Sequence, residues 1–489
     1  MKAIPYQLTI FVLILLYGTT VEAQSVMEKI AKLEKAVFSI SAYDAKENVT
    51  ATRTGFFISG DGIAIAPASL FLDADSISLT LRNGRSYEVS HLISIHKMAD
   101  LVLFKASGNR DRSLSYIIPS QETDKGNQEV LIFSHPQEAQ GGLSLGTVST
   151  VFQAPYLDRL VKVDSDFGPH STGAPVMNSE GDLIGIASYL EKTNTCQFIS
   201  THVINDTLWE HSANNSLAKD TTLYRQKILP HPHMFRGISY LMNGDWVEAA
   251  RNFTREISRD STAVIPYIFR GEARRNYHNS IGMEADYAHA KKMDPKHFLI
   301  HYFEAMAFLR SRDDRAAFKH LITCLDQHPY FSPALIEFGL LAIKLHKDIL
   351  TAKKSFEKAI KSSPIYANGY YELARLNMQY FREKASAMEN LNKAISLNEK
   401  LPGVYSIRGT LRIQSENYLE AISDLDKAIT IDTSDTHALF NRGLAFYNLG
   451  MKEKCCRDWD MAGQLGHYKS IKYLSRYCNK TPISPTRQR

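Results

Sequence analysis

A chain of 489 residues is longer than one hydrophobic core organises and fits about three domains. Hydrophobic residues make up 44% and charged residues 22%, the balance of a water-soluble folded protein. A net charge of +5 over this length, with no basic block before the last few residues, argues against nucleic acid as a partner.

The start reads as a secretory leader over residues 1–23. Lys2 supplies the positive end, Leu8 to Tyr17 is an uncharged apolar run, and Val21-Glu22-Ala23 places small residues where a signal peptidase cuts, before Gln24. The run is short for a membrane span, and no later segment is apolar enough for stable membrane insertion. The expected location is therefore the periplasm or the medium.

Ser25 to Lys35 has the spacing of a short amphipathic helix, with Val26, Ile30 and Leu33 on one face. The period then changes to two. Residues Ala36 to Ile40, Gly55 to Ile58, Ile63 to Ile65, Ile77 to Leu81 and Leu101 to Phe104 are expected strands. Val130 to Phe133, Gly146 to Phe152, Leu160 to Asp164, Leu183 to Leu190 and Gln197 to Thr201 form a second set. Turn signals such as Gly60-Asp61-Gly62 and Asn83-Gly84 separate them, so residues 24–208 are expected to be all-β.

Gly55-Phe56-Phe57-Ile58-Ser59, Ala99-Asp100-Leu101-Val102-Leu103, Ser134-His135-Pro136 and Gly146-Thr147-Val148-Ser149 follow one another in a family-like order. They end on Ser171-Thr172-Gly173-Ala174-Pro175-Val176 and a strand reading Leu183-Ile184-Gly185-Ile186. This series resembles the trypsin-like serine peptidases of the HtrA type, which implies two six-stranded barrels with a cleft between them. The resemblance places the general base at Ser69, the orienting acid at Asp100 and the nucleophile at Thr172. A hydroxyl at position 69 cannot take a proton near neutrality as an imidazole does. Threonine at 172 has no base to activate it. His170 stands where the family has an oxyanion-hole glycine, which restricts the backbone that would aim an amide inward. No catalytic residue is therefore expected, and the site reads as a degenerate triad.

Residues 209–230 read as a polar, turn-rich linker. From 231 to 466 a period emerges. Gly237, Gly271, Ala305, Gly339, Ala374, Gly409 and Gly443 are separated by 34, 34, 34, 35, 35 and 34 residues. Ala249, Ala317, Ala352, Ala387, Ala421 and Cys455 form a second register of small residues. Phe253, Tyr287, Leu321, Phe356, Leu391, Leu425 and Trp459 follow four positions later in that frame. Seven such units resemble tetratricopeptide repeats, helix pairs that stack into a solenoid. Arg236, Arg270, Arg408 and Arg442 precede the mid-helix small residue, while Asp286, Asp424 and Asp458 precede the second-helix packing residue. The two sets are placed to pair as structural ion pairs.

By the repeat's geometry, a protein or peptide partner would meet Met234, Ile238, Ile268, Glu272, Tyr302, Met306, Tyr371, Arg375, Phe440 and Leu444. Residues 467–480 are expected to form a capping helix and 481–489 a disordered tail. Of five cysteines, Cys456 and Cys478 are the expected disulfide, with Cys455 as the alternative partner. The cysteine spacings do not resemble a metal site, and no cofactor or metal is expected. The fold class is thus an N-terminal trypsin-like double barrel followed by an all-α repeat solenoid. The leading functional expectation is an exported protein-binding adaptor with an inactive peptidase module. The alternatives are an atypical active endopeptidase that recruits substrate through its repeats, and a purely structural envelope protein.

Overall fold

In the computed structural model the described residues are 30–211 and 232–478, without 108–113, 120–127, 135–141 and positions 32, 73, 97, 155, 206–207 and 365. The expected leader (1–23), most of the linker (212–230) and the tail (481–489) lie outside them, as do His135 and Pro136. The chain divides into two compact units, Met1–Pro295 and Lys296–Arg489.

The first unit opens with two antiparallel barrels. The first contains β1 (Val37–Tyr43), β2 (Val49–Phe57), β3 (Ile63–Pro67), β4 (Ser76–Leu81), β5 (Ser86–His96) and β6 (Leu101–Ser107). They pair around a ring in the order β1, β2, β3, β6, β5, β4, and back to β1. Every second residue of β1 points inward, so Phe38, Ile40 and Ala42 are buried. Phe38 lies opposite Gly55 of β2, and its ring fills the space that a side chain at 55 would need. Phe57, Phe71 and Phe104 complete an aromatic centre around it. Alternation alone predicts neither β5 nor β10. Pairing irregularities between Val89 and His91 and between Leu92 and Ser94 break the period along β5.

The second barrel contains β7 (Glu129–Phe133), β8 (Leu143–Ala154), β9 (Asp158–Ser165), β10 (Pro175–Met177), β11 (Leu183–Leu190) and β12 (Thr195–Ser200). It closes in the order β10, β11, β12, β9, β8, β7, around Val130, Val148, Val161, Val176 and Phe198. β10 has only three residues and begins at a proline, too short to carry a period. One boundary differs from expectation. Trp209–His211, read as the start of the linker, forms β13 and extends the first sheet by pairing with Ser94 to His96. Its indole N–H also donates to the Val203 carbonyl at 2.8 Å, so this segment is held to the module.

Two helix pairs complete the first unit: α1 (Pro232–Met242) with α2 (Trp246–Arg259), and α3 (Val264–Asn276) with α4 (Ser280–Met293). The second unit holds five more: α5 (Phe298–Arg310) with α6 (Asp314–Gln327), α7 (Ser332–Leu341) with α8 (Ile349–Ser362), α9 (Ala367–Leu376) with α10 (Lys384–Leu397), α11 (Val404–Gln414) with α12 (Tyr418–Ile431), and α13 (Thr436–Asn448) with α14 (Lys452–Gln464). A final helix, α15 (Tyr468–Tyr477), follows. The mid-helix small residue explains the pairing distance. A Cβ at Gly237 would meet the Phe253 ring within 2.5–2.8 Å, and methyl groups at Gly339 and Gly443 would meet Phe356 and Trp459.

The two 35-residue steps also have a structural reason. After α7 and after α9 the backbone makes a π-turn, Ala342–His346 and Asn377–Phe381, which takes up one extra residue before the second helix. Each pair then turns through a single left-handed residue: Gly244, His278, Arg312, Lys347, Arg382, Glu416 or Gly450. The disulfide joins Cys456 of α14 to Cys478, the C-cap of α15, while Cys196, Cys324 and Cys455 are free and buried.

Candidate functional site

The turn after β3 delivers Ser69, the turn before β6 delivers Asp100, and the loop before β10 delivers Thr172. All three line one cavity of about 130 Å³ in the first unit. The cavity therefore sits where the family resemblance places the triad. The fold brings these positions together from segments 31 and more residues apart.

Asp100 is buried and left-handed, with φ at 52°. Its backbone carbonyl accepts the Ala68 N–H at 2.9 Å. Its carboxylate takes the Ser69 N–H on Oδ1 at 2.6 Å and the Ser69 hydroxyl on Oδ2 at 2.8 Å. Both oxygens are thus engaged by one serine, where the family has an imidazole between acid and nucleophile. Burial raises the Asp100 carboxyl pKa above the ordinary value. The charges of Arg236 and Arg53 and the hydrogen bonds from Ser69 oppose that rise. His96, the nearest histidine in sequence, is spent structurally: its Nδ1 accepts the backbone N–H groups of Met98 and Ala99 at 3.1 and 2.9 Å.

The loop at Thr172 is well ordered by its own bonds. Pro169–Ser171 forms a 3-10 turn, and the Thr172 N–H donates to the Pro169 carbonyl at 3.1 Å. An amide spent in that way does not donate to a developing oxyanion. Thr54 clamps the same loop, with its hydroxyl on the His170 carbonyl at 2.9 Å and its N–H on the Thr172 carbonyl at 3.1 Å. Gly173 is left-handed at φ +90°, and a Cβ there would strike the Thr54 carbonyl and the Pro67 ring. His170 itself is exposed.

The first repeat roofs the cavity. Phe235, Arg236 and Tyr240 of α1 and Glu248, Asn252 and Arg255 of α2 line it, opposite Ser188 to Lys192 at the end of β11. The contact is specific and polar. Gln197 of β12 donates to the Ser239 hydroxyl at 2.9 Å in a buried position, and Asn243 donates to the Gln197 amide oxygen at 3.3 Å. Lys192 pairs with Glu248 at 2.8 Å, and Arg251 bonds the same carboxylate. Sequence reasoning missed this roof, and one signal existed. Arg270, Arg408 and Arg442 pair with the aspartates 16 residues on, Asp286, Asp424 and Asp458, at 2.6 to 2.7 Å. The residue 16 after Arg236 is Asn252. Among the described residues Arg236 has no ion pair with a repeat carboxylate, and its charge acts on Asp100.

The expected groove residues divide. Met234, Ile238, Ile268, Glu272 and Phe440 are buried, which corrects the expectation that a partner meets them. Ile238 adjoins Gly237, where the helices approach closely. Glu272 bonds Arg275 and accepts the Tyr287 hydroxyl at 3.2 Å, and Phe440 lies under Tyr473 and His467 of the last helix and its cap. Tyr302, Met306, Tyr371, Arg375 and Leu444 are half-buried. Arg375 donates to Glu372 at 2.9 Å beside a hollow of about 320 Å³ lined by Leu340, Phe356 and Tyr380.

Comparison with known proteins agrees with this geometry. Residues 53–186 match the family of the trypsin-like peptidase domain. A serine protease HTR4 of Rattus norvegicus is 27% identical over 172 residues, covering 33% of this chain and 35% of its own. A DnaJ homolog subfamily C member 3 of Bos taurus is 26% identical over 205 residues, 37% of this chain and 40% of its own. An anti-sigma-I factor RsgI9 of Acetivibrio thermocellus is 23% identical over 235 residues, 47% of this chain and 33% of its own. The chain thus spans about a third to two fifths of the length of these relatives. Among the described residues, no helix is long and apolar enough to cross a membrane. Residues 53–186 are similar to a trypsin-like peptidase domain, and the helix pairs that follow are consistent with a tetratricopeptide-like solenoid.

Proposed function

We propose that this protein is an exported adaptor, in which a trypsin-like module without peptidase turnover is joined to helix pairs that bind a protein or peptide. One observation carries the loss of turnover: Ser69 holds both oxygens of Asp100, so no base stands between the acid and Thr172. The spent amide of Thr172 and the roof of α1 and α2 support the same reading, because a peptide in the cleft needs both an oxyanion donor and an open face. A relative whose name is serine protease argues for common descent of the module; turnover depends on the side chains present. Export rests on the leader-like start of the sequence.

The decisive measurement is reaction of the full chain with a fluorophosphonate probe, together with cleavage of unfolded casein. Neither is expected. Labelling that disappears in Thr172→Ala would overturn the reading and install the atypical endopeptidase in its place. Binding is assigned to the half-buried residues of the second unit. Once a peptide ligand is in hand, Tyr302→Ala and Tyr371→Ala are each expected to weaken it by about 1 to 3 kcal/mol.

A further inference from the structure

In the second unit three side chains converge on one point with no role in the reading above. His301 and Glu304 stand one turn apart on α5, and His320 stands on α6. His301 Nδ1 and His320 Nδ1 are 3.3 Å apart. Glu304 Oε2 is 2.9 Å from His320 Nδ1 and 3.5 Å from His301 Nδ1. The same three atoms define all three distances. His301 is buried, the other two side chains are about a quarter exposed or less, and the Phe308 ring stacks on His320 at 5.3 Å.

The spacing fits a metal ion better than a simple hydrogen-bonded pair. Three points at those separations lie on a circle of about 1.9 Å radius, so an ion at the usual 2.0–2.1 Å from each would sit roughly 0.8 Å out of their plane. That is close to the height of an ion above one face of its coordination tetrahedron. A hydrogen bond needs two of these atoms; convergence of all three on one position is what a coordinated ion needs. Two imidazole nitrogens and one carboxylate form a nitrogen-rich set, which suits zinc-class ions and not calcium or magnesium, which take oxygen ligands. We propose that His301, Glu304 and His320 bind one zinc-class divalent ion, leaving its fourth position open to water or to a donor from a bound partner.

The site would tie α5 to α6, and metal binding would add to the stability of the second unit by mass action. The test uses the full chain with its disulfide oxidised, stripped by a chelator and dialysed against zinc chloride, with cobalt(II) as a coloured substitute. One ion per chain is expected, with the visible absorption of a four-coordinate site for cobalt. His301→Ala and His320→Ala should each lower affinity by at least the 10- to 100-fold that losing an outer-sphere partner costs. Zinc should raise the melting temperature of the unsubstituted chain and leave that of these variants unmoved. Glu304→Gln and His320→Gln, which keep side-chain size, decide the matter if the alanine variants do not fold. Uptake of no ion, or uptake undiminished in these variants, overturns the proposal. Uptake lost in Cys455→Ser instead would give the ion to the cysteine cluster at 455, 456 and 478 and overturn it equally.

Discussion

Arg236 and Arg408 stand at the same register of two repeats, one residue before Gly237 and Gly409, yet they do different things. Arg408 is largely buried. It forks onto Asp424 through Nε and Nη2 at 2.9 and 2.7 Å and reaches Asn392 of the preceding pair through Nη1. Arg412 joins the same carboxylate at 2.7 Å. Arg236 is exposed, its counterpart residue is Asn252, and it lines the cavity with Asp100. A repeat position therefore does not carry a fixed role. The residue sixteen places on decides whether the guanidinium holds two helices together or is released to a neighbouring surface.

The largest effect should come from breaking the later clamp. Asp424→Ala leaves two largely buried guanidinium groups without their carboxylate, and a loss of about 3 to 5 kcal/mol is expected in urea unfolding. Arg236→Ala, at an exposed position, should change stability by no more than about 0.5 kcal/mol. Equal losses at the two positions would erase the comparison.

The close approach of helices should be alike in the first and the last repeat. Gly237→Ala and Gly443→Ala each drive a methyl group into an aromatic ring, and each should cost about 1 to 3 kcal/mol. A neutral Gly237→Ala would mean that the first pair is looser than its packing shows.

The electrostatic side of the comparison is read through pH. Burial raises the Asp100 carboxyl pKa in the folded state, so the folded chain keeps that proton to higher pH than the unfolded chain. Its contribution to stability is then fully present below the unfolded value near 4 and is lost as pH rises through the folded value. Asp100→Asn should remove this fall from the difference in melting temperature between pH 4 and pH 7. Arg236→Ala, which deletes a charge that opposes the shift, should extend the fall to higher pH. An unchanged profile in Arg236→Ala would break the link between the first repeat and the cleft.

The smallest effect concerns the turns. Arg312 is left-handed at φ 61°, where Gly244 and Gly450 stand in the first and last repeats. Arg312→Gly should relieve strain and raise stability by up to about 1 kcal/mol, measured as a rise in melting temperature. Destabilisation would show that the arginine side chain makes a contact worth more than the strain.

Much of this protein is local in origin, and local features are readable from one chain. The 34-residue period, the small residue at each helix crossing and the arginine-aspartate register repeat along the chain, so periodicity marked the units and their resemblance to tetratricopeptide repeats implied the helix pairs. Short alternating strands marked an all-β module, and its resemblance to trypsin-like peptidases implied the two barrels and placed Ser69, Asp100 and Thr172 at one site. Even the two 35-residue steps were visible, although only the backbone shows them as π-turns at Ala342–His346 and Asn377–Phe381.

Tertiary structure decided what depends on contacts between distant segments. β5 hides its period behind its pairing irregularities, and β10 is too short to have one. The first repeat roofs the cleft, with Gln197 of β12 bonded to Ser239 of α1, and the first compact unit takes in the first two helix pairs and runs to Pro295. Burial withdrew Met234, Ile238, Ile268, Glu272 and Phe440 from any groove, because a residue near a helix crossing faces the partner helix before it faces a ligand. His301 and Glu304 stand three residues apart on α5, and His320 of α6 joins them only because the two helices pack side by side. Periodicity is a property of one segment read along its length; convergence is a property of segments that find each other through burial.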